Sequence, residues 1–398
     1  MNIRLMLKIL LLILSFPICC FSQWVNTNSV NFNEAAVSEN YILGVEENTG
    51  VHVSTNDGIT WAPTSLNTSG LVKIAAEGSN IFVGTGNIPT NRGLYRSTNA
   101  GLNWIFVLPV SEFFPVTAIA IKGNNIFAAT GRTIYHSTNN GANWTQIPVD
   151  FYVYAFAING NNIFAGVESI GVFLSTNNGT SWSQTSFNNR DVFSIKISAG
   201  NIFAGSETGI KLSTNNGLTW TQTGLDITRY VTSLELSAGN IFAGTDAGVF
   251  LSKDNGATWV QKNQGLSGLI LENPFLAISN TFIFASNKNS STWRRTISEI
   301  INIRQVNQTI PIEYELHQNY PNPFNPSTSI KFSVPNNSLV TLKIYDQSGK
   351  QISILLNEKL NSGIYEYSFN GESLPSGTYY YRLESENFSE TKSMVFIK

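Results

Sequence analysis

The stretch Ser213-Thr-Asn-Asn-Gly-Leu-Thr-Trp220 decides how this chain folds, because five near-copies of it recur at an almost even interval. They run Ser54 to Trp61, Ser97 to Trp104, Ser137 to Trp144, Ser175 to Trp182 and Ser252 to Trp259. Successive tryptophans lie 43, 40, 38, 38 and 39 residues apart. So tight a period implies repetition of one supersecondary unit.

The unit holds a second phrase, Asn-Ile-Phe-Ala-Gly. It occurs at Asn80 to Gly84, Asn125 to Ala129, Asn162 to Gly166, Asn201 to Gly205 and Asn240 to Gly244. Looser versions at Asn40 to Gly44 and Phe282 to Ser286 make seven. Apolar and polar residues alternate on either side, as in Val231-Thr-Ser-Leu-Glu-Leu and Gly248-Val-Phe-Leu-Ser. Such alternation, bounded by Gly and Asn, marks strands. Each unit therefore holds four short strands, with the tryptophan phrase as the hairpin between the third and fourth. Asn at the third position of that phrase can bond its own turn backbone, and Gly at the fifth supplies a positive φ. No helical periodicity is evident after residue 22.

Four strands at this period describe one blade of a β-propeller. The seventh unit has no hairpin after Trp293, and Gln23-Trp24-Val25-Asn26 resembles Thr258-Trp259-Val260-Gln261. The expected fold is all-β: a seven-bladed propeller over residues 23–300, closed by an N-terminal strand. The tryptophan phrase resembles the Asp-box, or BNR repeat, with Trp61, Trp104, Trp144, Trp182, Trp220 and Trp259 as its structural rings. Five of the six copies carry Asn where that name implies Asp.

Arg4 and Lys8 lead into the apolar run Ile9 to Phe16 and turn residues up to Ser22, the pattern of a signal peptide over 1–22. Both cysteines, Cys19 and Cys20, fall inside it, so neither a disulfide nor a Cys-ligated metal is expected in the mature chain. Charged residues are 13% of the chain, against roughly 25% in an ordinary soluble domain. Asn, Ser, Thr and Gly must then supply the polar surface, which suits an extracellular all-β protein. A net charge of −2 offers no field for nucleic acid or an anionic membrane. No transmembrane segment is expected in the mature chain.

A polar linker is expected over 301–312, followed by a different pattern. Tyr320-Pro-Asn-Pro-Phe-Asn-Pro326 precedes strand-like Ser329 to Val334 and Val340 to Tyr345. The turns Asp346-Gln-Ser-Gly349 and Leu374-Pro-Ser-Gly377, the stretch Tyr379 to Leu383 and a closing Met394-Val-Phe-Ile-Lys398 complete it. This is the pattern of a small β-sandwich. Over 313–398 these same phrases resemble the type A C-terminal sorting domain of the type IX secretion system. The resemblance implies export, with that machinery as a partner and the cargo released or held at the cell surface.

Asp-boxes occur in sialidases, which need an arginine triad and a Tyr–Glu pair. No Phe/Tyr-Arg-Ile/Leu-Pro phrase stands near the start, and Tyr95-Arg96-Ser97 falls within a hairpin strand. Asp-box xyloglucanases share the box but are built from two propellers, where this chain has one. A glycosidase needs two carboxylates, and the face opposite the hairpins gathers Glu46, Glu47, Glu168, Glu207 and Asp246, with Asp191 and Asp226 in linking loops. Phe113, Phe114, Tyr152, Tyr154, Arg190, Arg229 and Tyr230 join them. His52 and His136 fall at matching third-strand positions as tolerated blade residues. No spacing suits zinc or an EF-hand, so no metal and no cofactor is expected.

The leading expectation is a secreted, non-enzymatic propeller with no catalytic residue. It binds protein or polysaccharide through Glu168, Arg190, Glu207, Arg229, Tyr230 and Asp246. Its repeat resembles the Asp-box propellers of photosystem assembly factors and sortilins. The alternatives are a secreted glycoside hydrolase using the loop-face carboxylates and a self-associating surface coat.

Overall fold

Because side chains alternate across a pleated strand, a short strand with apolar residues on both faces must be covered on both sides. Ile202, Phe203 and Ala204 are successive residues of one strand and all are buried. Only a stack of sheets, each packed between two neighbours, satisfies such strands. The computed structural model has that arrangement. It describes residues 24–398 except 28–30, 87, 89, 111–113, 226–229, 238, 267–273, 288–289, 302, 308–310, 361 and 373. The expected signal peptide therefore lies outside the described residues, as do Phe113, Asp226 and Arg229. After residue 22 the chain divides into two units, Gln23–Arg304 and Gln305–Lys398.

Among the described residues, the first unit contains seven four-stranded antiparallel sheets. Sheets 1 to 6 begin with the strands Glu34–Ser38, Leu71–Glu77, Val116–Lys122, Val153–Asn159, Val192–Ser198 and Val231–Ser237. Each then runs in chain order to its fourth strand. Sheet 7 is assembled differently. Phe275–Ile278, Phe282–Asn287 and Ser290–Thr296 supply three strands, and Val25–Asn26 pairs beside the last of them, Val25 opposite Arg294 and Asn26 opposite Trp293. Trp24 anchors this added strand. Its side chain is 2% exposed, and its Nε1 donates to the Lys262 carbonyl at 2.5 Å. A five-residue helix, Ile297–Ile301, follows sheet 7.

Apolar clusters fill the spaces between neighbouring sheets. Leu43, Val45 and Val51 of sheet 1 meet Leu71, Ile74 and Ile81 of sheet 2, and Ala277 and Phe284 of sheet 7 meet Ala35 and Ile42 of sheet 1. Hydroxyls tie the first strands together as well: the Leu234 amide donates to Ser194 and the Leu276 amide to Ser233, each at 3.1 Å. The first strands of successive sheets lie side by side, and that of sheet 7 lies beside those of sheets 6 and 1.

The hairpins explain why Ser and Gly are invariant in the tryptophan phrase and why its third position is always Asn or Asp. In the copy at Ser213, the serine Oγ accepts from the Gly217 amide at 2.9 Å and donates to Asn215 Oδ1 at 3.1 Å. Asn215 Oδ1 also accepts from the Thr219 amide at 2.9 Å. The copy at Ser252, with Asp254 in place of Asn, makes the same three bonds. Left-handed backbone occupies two positions and not one: Asn216 has φ 55° and Gly217 φ 81°. Asn tolerates that region better than most residues. Gly is required for a second reason. A Cβ at Gly179 would stand 2.8 Å from the ring of Phe127, and one at Gly58 2.7 Å from Phe284. The Phe of Asn-Ile-Phe-Ala-Gly thus packs against the hairpin glycine of the next sheet, so the two phrases are halves of one contact.

Sheet 1 aligns one residue differently from the sequence reading. Ile42 pairs with Ser54, as Ile81 pairs with Ser97, so Leu43 occupies the Phe position and Asn40 lies in the turn. The histidines are likewise not equivalent. His136 immediately precedes its hairpin serine and pairs with Phe127, whereas His52 is two residues before Ser54 and pairs with Gly44. With a side-chain period of two, they face opposite sides of their sheets.

Among its described residues the second unit has two four-stranded sheets. One orders Ile303–Asn307, Gly363–Asn370, Ser327–Val334 and Glu315–Leu316; the other orders Gln351–Leu360, Ser338–Tyr345, Gly377–Ser385 and Phe388–Phe396. The stretch 301–312, expected as a linker, thus contains a paired strand; Ile303 is buried, and its apolar side chain rewards ordering. The proline-rich entry is tied to the chain's end: the Phe324 amide donates to Val395 at 2.9 Å and the Ile397 amide to Phe324 at 3.1 Å. Buried Asn319 donates its amide to the Tyr381 hydroxyl at 2.8 Å, and that hydroxyl donates to the His317 carbonyl at 2.9 Å.

Candidate binding face

Antiparallel pairing sorts the turns of each sheet onto two faces. In sheet 5, Ser198 pairs with Asn201 at one end and Val192 with Ser206 at the other, where Ser206 also pairs with Gly209. Turns between second and third strands therefore share a face with the segments that lead into the next sheet. The tryptophan hairpins occupy the other face.

On the first of these faces, sheets 4 and 5 are stitched together by their loops. The Ser169 amide donates to Asp191 Oδ1 at 2.6 Å, and the Gly171 amide to the Arg190 carbonyl at 2.8 Å. Ser169 and Asn189 hold left-handed backbone, with φ 58° and 59°. Arg190 lies 3.8 Å from Glu207 of the next turn. The hydroxyls of Ser206 and Thr245 accept from the amides of Thr208 and Ala247, shaping the turns that carry Glu207 and Asp246.

Aromatic rings edge the same face. The hydroxyl of Tyr154, at the start of sheet 4, donates to Glu168 Oε1 at 2.9 Å. Its ring stacks on Phe193 of sheet 5 with centroids 5.6 Å apart, and Phe193 lies 5.7 Å from Tyr230, which precedes sheet 6. Tyr230 is 47% exposed. Phe114 and Tyr152 form a separate pair 5.9 Å apart, with Arg132 over the Tyr152 ring at 5.5 Å. Burial, the bond to Glu168 and the charges of Glu168 and Asp191 hold the Tyr154 phenol well above its ordinary range.

Tyr154 and Phe193 also stand on the wall of a cavity of about 440 Å³, lined by the first strands of all seven sheets. Alanine is the commonest residue of its wall, which also carries the ion pairs Lys73–Glu34 at 3.2 Å and Lys196–Glu235 at 2.8 Å. Small side chains keep the space open, and the ion pairs keep it wet.

Of the residues singled out from sequence, Glu168, Arg190, Glu207 and Tyr230 are linked through these contacts. Asp246 is half-buried in the sheet 6 turn, and Arg229 is outside the described residues. Phe193 was missed, because inside Val192-Phe-Ser-Ile its alternation signals only a strand. Elsewhere on the face, burial alone would push Glu46 up, yet bonds from Thr49 and Asn48 outweigh it and hold the carboxyl below its usual value. His52 bonds Thr49 at 2.7 Å, while His136 stacks on Phe127 at 4.1 Å. Burial holds both imidazoles below the ordinary value. Among the described residues no group of three or more His, Cys, Asp or Glu could hold a metal ion. No helix there is long and apolar enough to cross a membrane.

Residues 318–398 match the family described as the secretion system C-terminal sorting domain. No curated protein matches the chain. Among solved structures, YCF48 bound to D1 peptide has a TM-score of 0.53 at 15% identity, over 69% of this chain and 94% of that one. The extracellular domain of a putative hybrid two-component system from B. thetaiotaomicron gives 0.54 at 8% identity, over 94% of this chain and 59% of that one. The Pan2 WD40 domain of Neurospora crassa gives 0.52 at 9%, over 68% and 93%. At such identities the likeness is one of fold alone, an all-β arrangement of repeated four-stranded sheets with propeller neighbours. The sorting domain says where the molecule acts: this is a secreted or cell-surface protein.

Proposed function

We propose that the seven sheets are blades of one ring built on Asp-box-type hairpins, closed where Val25–Asn26 joins sheet 7, and that the tail is a sandwich read by the type IX machinery. On this reading the protein is a non-enzymatic binding module that captures its ligand outside the cell. The observation that carries the reading is the row of half-buried Tyr154 and Phe193 and exposed Tyr230 at the mouth of the central cavity. Aromatics grouped on one loop face, one of them open to solvent, suit recognition. Bonds already made by the nearby carboxylates favour binding over hydrolysis: Glu168 holds Tyr154, Asp191 holds the Ser169 amide, and Glu207 faces Arg190. Asp246 lies on the same face in the sheet 6 turn, and Arg229, also expected there from the sequence, is outside the described residues.

The test probes full-length protein and its Tyr230→Ala variant on an array of glycans and surface proteins, beside a glycan-hydrolysis screen. Binding that weakens with the variant is the expected result. Hydrolysis abolished by Glu168→Gln, Glu207→Gln or Asp246→Asn alone would replace the binding module with a glycosidase.

A further inference from the structure

We propose that the ligand of this face is a neutral polysaccharide, lying along the row of rings across the cavity mouth. This inference rests on the loop face being the binding surface. Three successive sheets contribute one ring each, Tyr154, Phe193 and Tyr230, at centroid steps of 5.6 and 5.7 Å. That is an extended track and not a pocket. The C–H faces of sugar rings pack against aromatic faces, while their hydroxyl edges need acceptors such as Glu168 and Asp191 beside the track.

One observation favours a glycan over a protein, and another a neutral glycan over an anionic one. A protein partner binds most strongly where an anchor side chain fills a well-packed, fully desolvated pocket. Here the space below the rings is lined by alanines and the ion pairs Lys73–Glu34 and Lys196–Glu235, so it stays polar and wet. The charge beside the track is acidic: Arg190 faces Glu207, whereas the partners of Glu168 and Asp191 are a neutral phenol and a backbone amide. That acidity disfavours an anionic chain, whereas a neutral one needs only the acceptors.

The experiment runs full-length protein through native gels containing hydroxyethyl cellulose, xyloglucan, mannan, laminarin or amylopectin. Heparin serves as the anionic comparison, and a displayed peptide library is screened in parallel. At least one neutral glycan is expected to retard the protein. Tyr230→Ala should weaken that binding about tenfold, the scale of one aromatic contact, while Tyr230→Phe retains it because the ring and not the hydroxyl makes the contact. Raising salt from low to molar should leave retardation unchanged, since screening acts only on charge. Phe193→Ala, checked for an unchanged unfolding midpoint, supplies the second ring.

No retardation by any of the five glycans overturns the proposal, as does retardation that Tyr230→Ala leaves intact. A selected peptide whose binding is lost in Tyr230→Ala would overturn the glycan while leaving the loop face as the binding surface. If neither glycan nor peptide depends on Tyr230, the loop-face reading falls too.

Discussion

Replacing Trp24 by alanine should unfasten sheet 7. The indole is 2% exposed and packs with Phe242, Val249, Leu251, Leu276 and Ile283. Truncating a buried Trp to Ala costs about 3–5 kcal/mol. The Lys262 carbonyl, which accepts from Trp24 Nε1, loses its partner at a further ~1 kcal/mol. The sum is about 4–6 kcal/mol, or roughly 10–20 °C in Tm at the ~2–4 °C per kcal/mol typical of a unit this size. Trp24→Phe keeps most of the packing and should cost only about 1–2 kcal/mol. Urea unfolding followed by far-ultraviolet dichroism compares the three proteins at equal concentration. A Trp24→Ala shift below about 1 kcal/mol, well short of the ordinary core truncation, would refute the view that this residue clamps the added strand.

Gly179→Ala places a methyl 2.8 Å from the Phe127 ring at φ 81° and should cost about 2–4 kcal/mol in urea unfolding. Gly200→Ala has a similar φ of 83° but open space around it, so only the ~1–2 kcal/mol of left-handed strain is expected. In the tail, Tyr381→Phe leaves the buried Asn319 amide without its acceptor, at a cost of about 1–3 kcal/mol. Faster proteolytic nicking of the tail and less protein in the medium are the readouts. Burial lowers the folded pKa of His52 and His136 below 6.5, so the unfolded chain takes up their protons first. Their stabilisation is complete above that pH and is lost as pH falls through the folded values. His52→Phe with His136→Leu should flatten urea midpoints measured between pH 7 and 5.

What was legible in the sequence was whatever repeats. The serine, asparagine or aspartate, and glycine of each hairpin sit where turn chemistry requires them, and Trp24-Val25 was recognisable by likeness to Trp259-Val260. Contacts between repeats were not legible. Nothing local says that Phe127 meets Gly179, since that packing crosses from one sheet to the next. Sheet 1 shows the same limit. Reading Asn40 as the first residue of the phrase put Leu43 on the wrong strand face, because a one-residue slip inverts every side chain. His52 and His136 were wrongly equated by the same kind of slip. On the binding face, Tyr230 stood out because it precedes a strand, whereas Phe193, inside one, matched a core pattern and was hidden.

The pairing of Val25–Asn26 with Ser290–Thr296 has a consequence for manufacture. Six sheets can form as soon as their own stretch of chain exists, but the seventh waits for partners more than 260 residues apart. Until they meet, the strand at Trp293 presents bare amides and carbonyls, an invitation to neighbouring molecules. Purification tags are therefore better placed well upstream of residue 24, with a long spacer, than fused directly against it.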